Sequence, residues 1–154
     1  MTQVAMLSDM QRANLSAQIP CPIARTLEIV GEWWTLLIVR DALLGARRFD
    51  EFKATGIADN ILTTRLKKLV AAGILKKHPY QQHPVRFEYV LTPKGRALAP
   101  VVMSLRAWGK QFTKGPDLSD VTHAACGHDV TVGFYCADCS RAVAGDEVHA
   151  APAL

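Results

Sequence analysis

The hydrophobic period of the chain changes at Gly73, and this change constrains the fold more than any other feature of the sequence. Before it, four apolar residues recur at the spacing of one buried helix face: Leu62, Leu66, Leu69 and Val70. After it, apolar and polar residues alternate over 74–78 and 85–91, as in half-buried strands, on either side of a polar, proline-bounded segment at 79–84. The sequence therefore predicts a helix over 58–72 followed directly by a β-hairpin.

Helical segments precede this unit. Proline at the first helical position makes Cys21 the N-cap of a helix that ends at Gly31. A second helix is predicted from about Glu32 to Gly45. Residues 48–55 then form a short helical piece before the long helix.

A further helix follows the hairpin. Thr92-Pro93 predicts its start, by the same combination of a cap and a proline. It carries an apolar seam close to heptad spacing: Leu98, Val101, Val102, Leu105, Trp108 and Phe112. Because an interior proline costs about 3 kcal/mol and kinks a helix, we expect a bend at Pro100. Gly115-Pro116 ends the main domain.

The order helix, short helix, long helix, hairpin is that of a winged helix–turn–helix, a mainly α fold with a β-hairpin wing (α+β). We expect three parts: an N-terminal helical arm over 1–19, a winged-helix domain over 20–114 and a small C-terminal Cys/His module over 117–154. A length of 154 residues excludes a large two-lobed enzyme, and 49% apolar with 21% charged residues excludes a disordered chain. Without an apolar run of ~18 residues or a signal-peptide pattern, the chain is expected to be soluble, cytoplasmic and without a membrane partner.

Positive charge is concentrated in the middle of the chain. Residues 47–114 hold 14 basic and 4 acidic side chains, whereas residues 1–46 hold 3 and 4, and residues 115–154 hold 1 and 6. Such an excess of positive charge favours a polyanionic partner through counterion release. A solvated basic surface without a partner is the alternative, and the order of elements in this segment favours double-stranded DNA.

In a winged helix–turn–helix, the second helix presents side chains to the major groove and the hairpin follows the adjacent backbone. Three short polar side chains near the start of the 58–72 helix are predicted to reach base edges: Asn60, Thr63 and Thr64. Three cations on the same helix are predicted to hold phosphates: Arg65, Lys67 and Lys68. Six further basic side chains extend this strip on the hairpin and ahead of the short helix: Arg47, Arg48, Lys76, Lys77, His83 and Arg86. The alternative is an amphipathic helix whose outer face is only solvated.

Three motifs in this order resemble the HxlR family of transcriptional regulators, relatives of the MarR group. The run from Cys21 to Phe52 resembles the opening of the family domain. The stretch from Ile61 to Leu69 resembles its recognition helix, and 86–95 resembles its second wing strand and the turn into the last helix. The resemblance spans about residues 20–112. It implies a sequence-specific DNA-binding regulator, with repression favoured over activation, that acts as a homodimer on a palindromic operator.

The resemblance also implies that N-terminal and C-terminal helices form the dimer interface. The apolar seam is consistent with this, because a small domain has difficulty burying Trp108 and Phe112 so far beyond its own core. A kinked helix that folds back onto its own domain is the alternative.

Cys21 is the candidate redox sensor. A thiol at a helix N-cap lies at the positive end of the helix dipole, which favours the reactive thiolate. The resemblance implies a redox or electrophile switch here, in which a disulfide forms between subunits or with a small thiol. The alternative is a purely structural helix start. A third option is that a small apolar inducer binds beside Trp33 and Trp34. The alternative is that both tryptophans belong to the core.

Two short motifs near the C-terminus have the spacing of metal-binding knuckles and resemble a small zinc ribbon: His123-Ala-Ala-Cys126 and Cys136-Ala-Asp-Cys139. Four protein ligands leave no open position, so the predicted zinc, one per chain, is structural and orders a tail with little core. His128 is the alternative imidazole ligand and His149 a remoter one. A redox pair formed by Cys136 and Cys139, or a tail without metal, are the other interpretations.

The C-terminal cysteines also raise a function of another class, a small thiol–disulfide enzyme or a protein-interaction module. The chain lacks the βαβ context in which such a redox pair works, and no nucleophile–base arrangement is evident elsewhere. We therefore expect a regulator and not an enzyme.

Overall fold

The computed structural model describes residues 21–115 and 121–149, and the predicted arm over 1–19 lies outside them. The chain divides into two compact units between Val102 and Met103. None of the described helices is long and apolar enough to cross a membrane. The helices and strands of the described residues follow in chain order: α1 (Pro22–Val30), α2 (Trp33–Leu43), α3 (Phe49–Lys53), α4 (Asp59–Ala71), β1 (Leu75–Gln81), β2 (Arg86–Leu91), α5 (Pro93–Arg96), α6 (Ala99–Phe112), β3 (Phe134–Cys136), β4 (Arg141–Val143) and a 3₁₀ turn (Gly145–Glu147).

The predicted winged-helix order of elements is confirmed. Cys21 is the N-cap of α1 and Pro22 is its first residue, as the sequence indicates. β1 and β2 pair antiparallel, with Leu75 opposite Leu91 at the base of the hairpin. The hairpin follows α4 directly and forms the wing.

The core of the first unit lies under α4. Three of its leucines are fully buried: Leu62, Leu66 and Leu69. Burial of each such side chain contributes about 1.5–3 kcal/mol. The same core holds buried side chains from α2, α3 and the segment that enters β1: Ile38, Val39, Phe52, Ile74 and Leu75. Because this apolar face anchors α4, the opposite face of the helix is directed to solvent.

The break in the C-terminal helical region lies earlier than predicted. α5 ends at Arg96, with Ala97 as its C-cap, and α6 begins at Ala99. Pro100 therefore lies in the first turn of α6, where its missing N–H breaks no intrahelical bond. The expected bend at Pro100 inside one helix is wrong, since the proline lies at the start of a separate helix.

The first strand of the wing is longer than predicted. β1 continues through Pro79 to Gln81, inside the segment expected to form the tip. Its pairing with β2 is irregular between these two residues, because proline has no N–H to give to the ladder. The tip is therefore reduced to residues 82–85.

The second unit contains a short hairpin in which Phe134 pairs with Val143. An isolated β-bridge between Thr122 and Asp129 closes a second turn just before it. Within the described range 121–149, no residue is buried. This unit therefore has no hydrophobic core in that range.

Candidate nucleic-acid interface

The solvent-facing side of α4 carries the predicted base-contacting residues. Asn60, Thr63 and Thr64 are exposed, as are Lys67 and Lys68. The hydroxyl of Thr64 donates to the Asn60 carbonyl oxygen at 2.8 Å. Since that bond uses its only hydrogen, Thr64 offers an acceptor oxygen and a methyl group, whereas the Asn60 amide offers both donors and an acceptor.

Arg65 is directed away from this exposed face. Its Nη2 lies 3.1 Å from Oε2 of Glu32, which caps α2, and only 17% of the Arg65 side chain is exposed. Its Nε is buried without a hydrogen-bond partner among the described residues. The expectation that Arg65 holds a phosphate is therefore corrected, because its guanidinium is engaged inside the protein and joins α4 to α2.

An exposed ion pair connects α3 to the start of α4. Lys53 Nζ lies 2.9 Å from Asp59 Oδ1, and this contact raises the pKa of Lys53. Asp59 lies in the first turn of α4, where a carboxylate is favoured by the helix dipole. The pair therefore joins the two helices of the helix–turn–helix at their connecting turn.

The wing presents its basic residues on two faces. Lys76 and Lys77 are adjacent in β1, so their side chains project to opposite sides of the hairpin. Both are exposed, and Lys77 Nζ lies 3.6 Å from the centroid of the Phe87 ring in a cation–π contact. The continuous basic strip predicted from the sequence is therefore divided between the two faces of the wing.

Arg47 and Arg48 lie beside the wing. Arg48 forms a β-bridge with Glu88, and its guanidinium carbon lies 4.7 Å from the centroid of the Tyr80 ring. The Arg47 carbonyl accepts a 2.7 Å hydrogen bond from β2. Both arginines are exposed, and so are two further predicted residues: His83 at the wing tip and Arg86 at the start of β2.

A group of residues that the sequence reasoning missed fixes the C-terminal end of α4. Thr92 Oγ1 donates to the Gly73 carbonyl at 2.6 Å and accepts from the Gly95 N–H at 3.1 Å. Lys94 Nζ donates at 2.7 Å to the carbonyl of Ala72, the C-cap of α4. The sequence feature that points to these residues is the Thr-Pro-Lys-Gly turn, but the turn by itself predicts only a helix start. These bonds join the end of α4 to the end of the wing.

Cys21 is half-buried at the N-terminus of α1. It makes no side-chain cap hydrogen bond to the helix. The N–H groups of Ala24 and then Ile23 nevertheless favour its thiolate, and the charge of Arg25 adds to this, so that the pKa of Cys21 is lowered from its ordinary value. The thiol therefore has the electrostatic surroundings of a reactive cysteine.

Apolar side chains are exposed on two surfaces. One lies on α1 and at the start of α2: Ile23 and Leu27, which are one helical turn apart, and Trp33. Trp33 is 77% exposed, so the interpretation of both tryptophans as core residues is wrong for this one. The other is one side of α6: Val101, Leu105, Trp108 and Phe112. Exposed apolar patches of this kind typically mark sites of association.

The four predicted zinc ligands lie as two pairs. His123 Nδ1 is 3.1 Å from Cys126 Sγ. The backbone N–H and then the thiol of Cys139 donate to the Cys136 sulfur and lower the pKa of Cys136. Within the part of the chain that the structure describes, no group of three or more His, Cys, Asp or Glu side chains is arranged to hold a metal ion. The two predicted pairs are therefore not brought together as one four-ligand site among these residues.

Comparison with known proteins identifies the family. The model of the HxlR-like helix–turn–helix matches residues 29–116. An uncharacterised HTH-type transcriptional regulator of Mycobacterium tuberculosis is 35% identical over 133 residues, which cover 84% of each chain. The crystal structure of PA1607, described as a transcription factor, has a TM-score of 0.75 at 35% identity and covers 90% of this chain and 99% of that one. The redox regulator HypR in its oxidised form has a TM-score of 0.57 at 34% identity, over 62% of this chain and 100% of that one.

The family match covers α2 to α6, which includes the exposed face of α4 and the wing. A structure from the MarR family is also similar, with a TM-score of 0.54 at 33% identity. A thiol–disulfide enzyme is therefore not retained. The chain belongs to the HxlR family of MarR-like helix–turn–helix transcriptional regulators and is a DNA-binding regulator rather than an enzyme.

Proposed function

We propose that this regulator binds a specific operator in double-stranded DNA with α4 as its recognition helix. One observation supports this above all: the polar face of α4 is exposed along the helix while three buried leucines anchor the opposite face. Asn60 and Thr63 contact base edges, and Thr64 adds an acceptor and a methyl group. Lys67 and Lys68 hold phosphates.

The wing and the residues beside it add phosphate contacts in this proposal. Because Lys76 and Lys77 face opposite sides of the hairpin, each contacts the backbone on its own side when the wing lies along a groove. The remaining basic residues extend these contacts: Arg47, Arg48, His83 and Arg86.

Selection of bound duplexes from a random pool, followed by fluorescence anisotropy of the enriched sequence, tests the proposal. We expect one enriched motif, whose affinity falls by about 10³-fold or more between 50 and 200 mM salt if about six or more phosphates are contacted. Absence of an enriched motif, or affinity that does not depend on salt, would contradict it.

We further propose a homodimer that places one recognition helix on each half of a palindromic operator. The exposed apolar side of α6 supports this, as does the similar surface on α1 and α2. Such a dimer, bound at its own or a neighbouring promoter, excludes the polymerase and represses transcription. A reporter driven by the bound promoter then rises in expression when the regulator is deleted, and a fall would indicate activation.

Cys21 is proposed as the sensor of an oxidant or electrophile. Its lowered pKa and the similarity to the redox regulator HypR support this role. Hydrogen peroxide oxidises the thiolate to a sulfenic acid, with release of water after proton uptake, and a second thiol then forms a disulfide and releases another water. We expect peroxide to change operator affinity in the native protein and to leave the Cys21→Ser variant unchanged.

An apolar inducer beside Trp33 is the second candidate signal, because this indole is exposed. Ligand-dependent quenching of tryptophan fluorescence that is lost in Trp33→Ala, together with a change in operator affinity, would distinguish it from the redox signal.

A further inference from the structure

Two turns of the second unit share one backbone feature. In each, a potential metal ligand is followed three residues later by another, and the next residue has a positive φ. These residues are His123, Cys126 and Gly127 (φ 72°) in the first turn, and Cys136, Cys139 and Ser140 (φ 52°) in the second. We call each of these turns a knuckle.

The positive φ of Ser140 is informative because a side chain disfavours this conformation. Ser140 is the only non-glycine residue with a positive φ in the described parts of the chain. The second knuckle therefore adopts a positive φ at the same position as the first although its sequence lacks the glycine. Its closing hydrogen bond differs, since the Ser140 N–H donates to the Ala137 carbonyl at 3.3 Å.

Within the first knuckle the two side chains are already close. His123 Nδ1 and Cys126 Sγ are 3.1 Å apart. Two ligands of a tetrahedral zinc, with bonds of about 2.3 Å to sulfur and 2.0–2.1 Å to nitrogen, are separated by about 3.6 Å. In the second knuckle, Cys136 is the last residue of β3 and Cys139 lies in the turn before β4. The first pair can therefore bind one ion after a movement of a few tenths of an ångström, and the second pair lies within one hairpin turn.

The backbone holds each knuckle in place. The Gly127 N–H donates to the His123 carbonyl at 2.7 Å, and the β3–β4 hairpin carries the second knuckle at its turn. Large apolar side chains such as Phe134 and Tyr135 are nevertheless exposed, and no residue of the described range 121–149 is buried. Since a segment of this size cannot be held together by burial, its two turns need another cross-link.

We propose that the two knuckles bind one structural zinc ion per chain, through His123 Nδ1 and the thiolates of Cys126, Cys136 and Cys139. In the arrangement described above, the two pairs are apart. Binding of Zn²⁺ brings them together and releases the three thiol protons to solvent. Four protein ligands fill the tetrahedral site, so the ion cross-links the turns and has no position for a substrate. This inference does not depend on the proposed operator contacts.

Native mass spectrometry of the full chain, purified under reducing conditions and supplied with one equivalent of Zn²⁺, tests the proposal. We expect one zinc per chain that a strong chelator removes. Cys136→Ser and Cys126→Ser are expected to reduce occupancy below about 0.1 zinc per chain, because three ligands bind a structural zinc much more weakly. Cys21→Ser, which removes a cysteine outside the knuckles, is the matched control and is expected to retain the full zinc.

The identity of the nitrogen ligand is tested with His123→Ala and His128→Ala, of which only the first is expected to lose zinc. Co²⁺ in place of Zn²⁺ is expected to give the absorption of a tetrahedral site with three thiolates. Equal zinc in Cys136→Ser and the native chain would overturn the proposal. So would a reduced native chain that takes up no zinc, or one that forms a Cys136–Cys139 disulfide and takes up none.

Hydrogen exchange provides a readout that does not depend on metal content. We expect amides of β3 and β4 to be protected with zinc and to exchange rapidly after chelation, while α4 amides are unaffected. Protection of β3 and β4 that is the same with and without zinc would overturn the structural role of the ion.

Discussion

Residues on the exposed face of α4 have different expected tasks. Lys67→Ala is expected to weaken binding to all duplexes about equally and to lower the salt slope by about 1, because one phosphate contact is lost. Asn60→Ala is expected to cost about 1–3 kcal/mol on the operator and little on unrelated DNA, because base contacts carry the specificity. Anisotropy titrations on both kinds of duplex measure this. Equal effects of the two substitutions would show that the base-contacting face is misassigned.

Arg65 provides the matched comparison for Lys67. Its guanidinium is paired with Glu32 inside the protein, so Arg65→Met is expected to leave the salt slope unchanged although it removes one positive charge from the same helix. Because Glu32 keeps solvent access, we expect the free energy of unfolding to change by at most about 1 kcal/mol. Salt-dependent anisotropy and urea unfolding test this. A slope lowered by about 1 would show that Arg65 contacts a phosphate after all.

Cys21 leads to a prediction about pH. The Ala24 and Ile23 N–H groups favour the thiolate and lower the pKa of Cys21, so the reactive form is present at lower pH in the folded protein than in the unfolded one. The rate of Cys21 alkylation by iodoacetamide, followed by peptide mass spectrometry, is therefore expected to rise with a midpoint at lower pH in buffer than in urea. The same chain in urea is the control. Coincident midpoints would contradict the effect of the helix terminus.

At the scale of the element, the position of α4 depends on a buried hydroxyl at the end of the wing. Thr92→Val removes the bonds of Thr92 Oγ1 to the Gly73 carbonyl and from the Gly95 N–H. The free energy of unfolding is expected to fall by about 1–3 kcal/mol, because buried polar groups lose their partners. Thr63→Val, at an exposed position, is expected to change it by less than about 0.5 kcal/mol. Urea unfolding compares the two, and equal stabilities would contradict the role of Thr92.

The elements themselves could be predicted because each depends on a local pattern. Three leucines at helical spacing specify α4, and the alternation after Gly73 specifies the wing. The direction of the Arg65 side chain could not be predicted, because its position borders both faces of α4 and its partner Glu32 lies far away in the sequence. The placement of Lys76 and Lys77 on opposite faces of the wing could have been predicted, because side chains alternate along a strand. The spacing of the Cys and His residues predicts the two knuckles. Whether the two pairs meet depends on the tertiary structure, which the spacing does not determine.

At the scale of the whole molecule, the exposed side of α6 is the surface through which the proposed dimer associates. Val101, Leu105, Trp108 and Phe112 lie within about 60° of the helix circumference at ~100° per residue. The rings of Trp108 and Phe112 have centroids 5.4 Å apart, and these side chains are 60% and 62% exposed. Aromatic anchors of this kind supply much of the binding energy of an interface. A single chain leaves this surface in water, whereas the proposed homodimer would bury it.

Trp108→Glu is therefore expected to weaken the dimer by at least about 2 kcal/mol, or about 30-fold in its dissociation constant, because a charge replaces a buried aromatic anchor. Sedimentation equilibrium measures the dissociation constant, and anisotropy compares a full palindrome with a single half-site. Affinity for the palindrome is expected to fall while affinity for the half-site is kept, since α4 is unchanged. Ala107→Glu introduces the same charge outside the apolar side of α6 and is the control. A Trp108→Glu chain that remains as dimeric as this control would show that α6 does not form the interface.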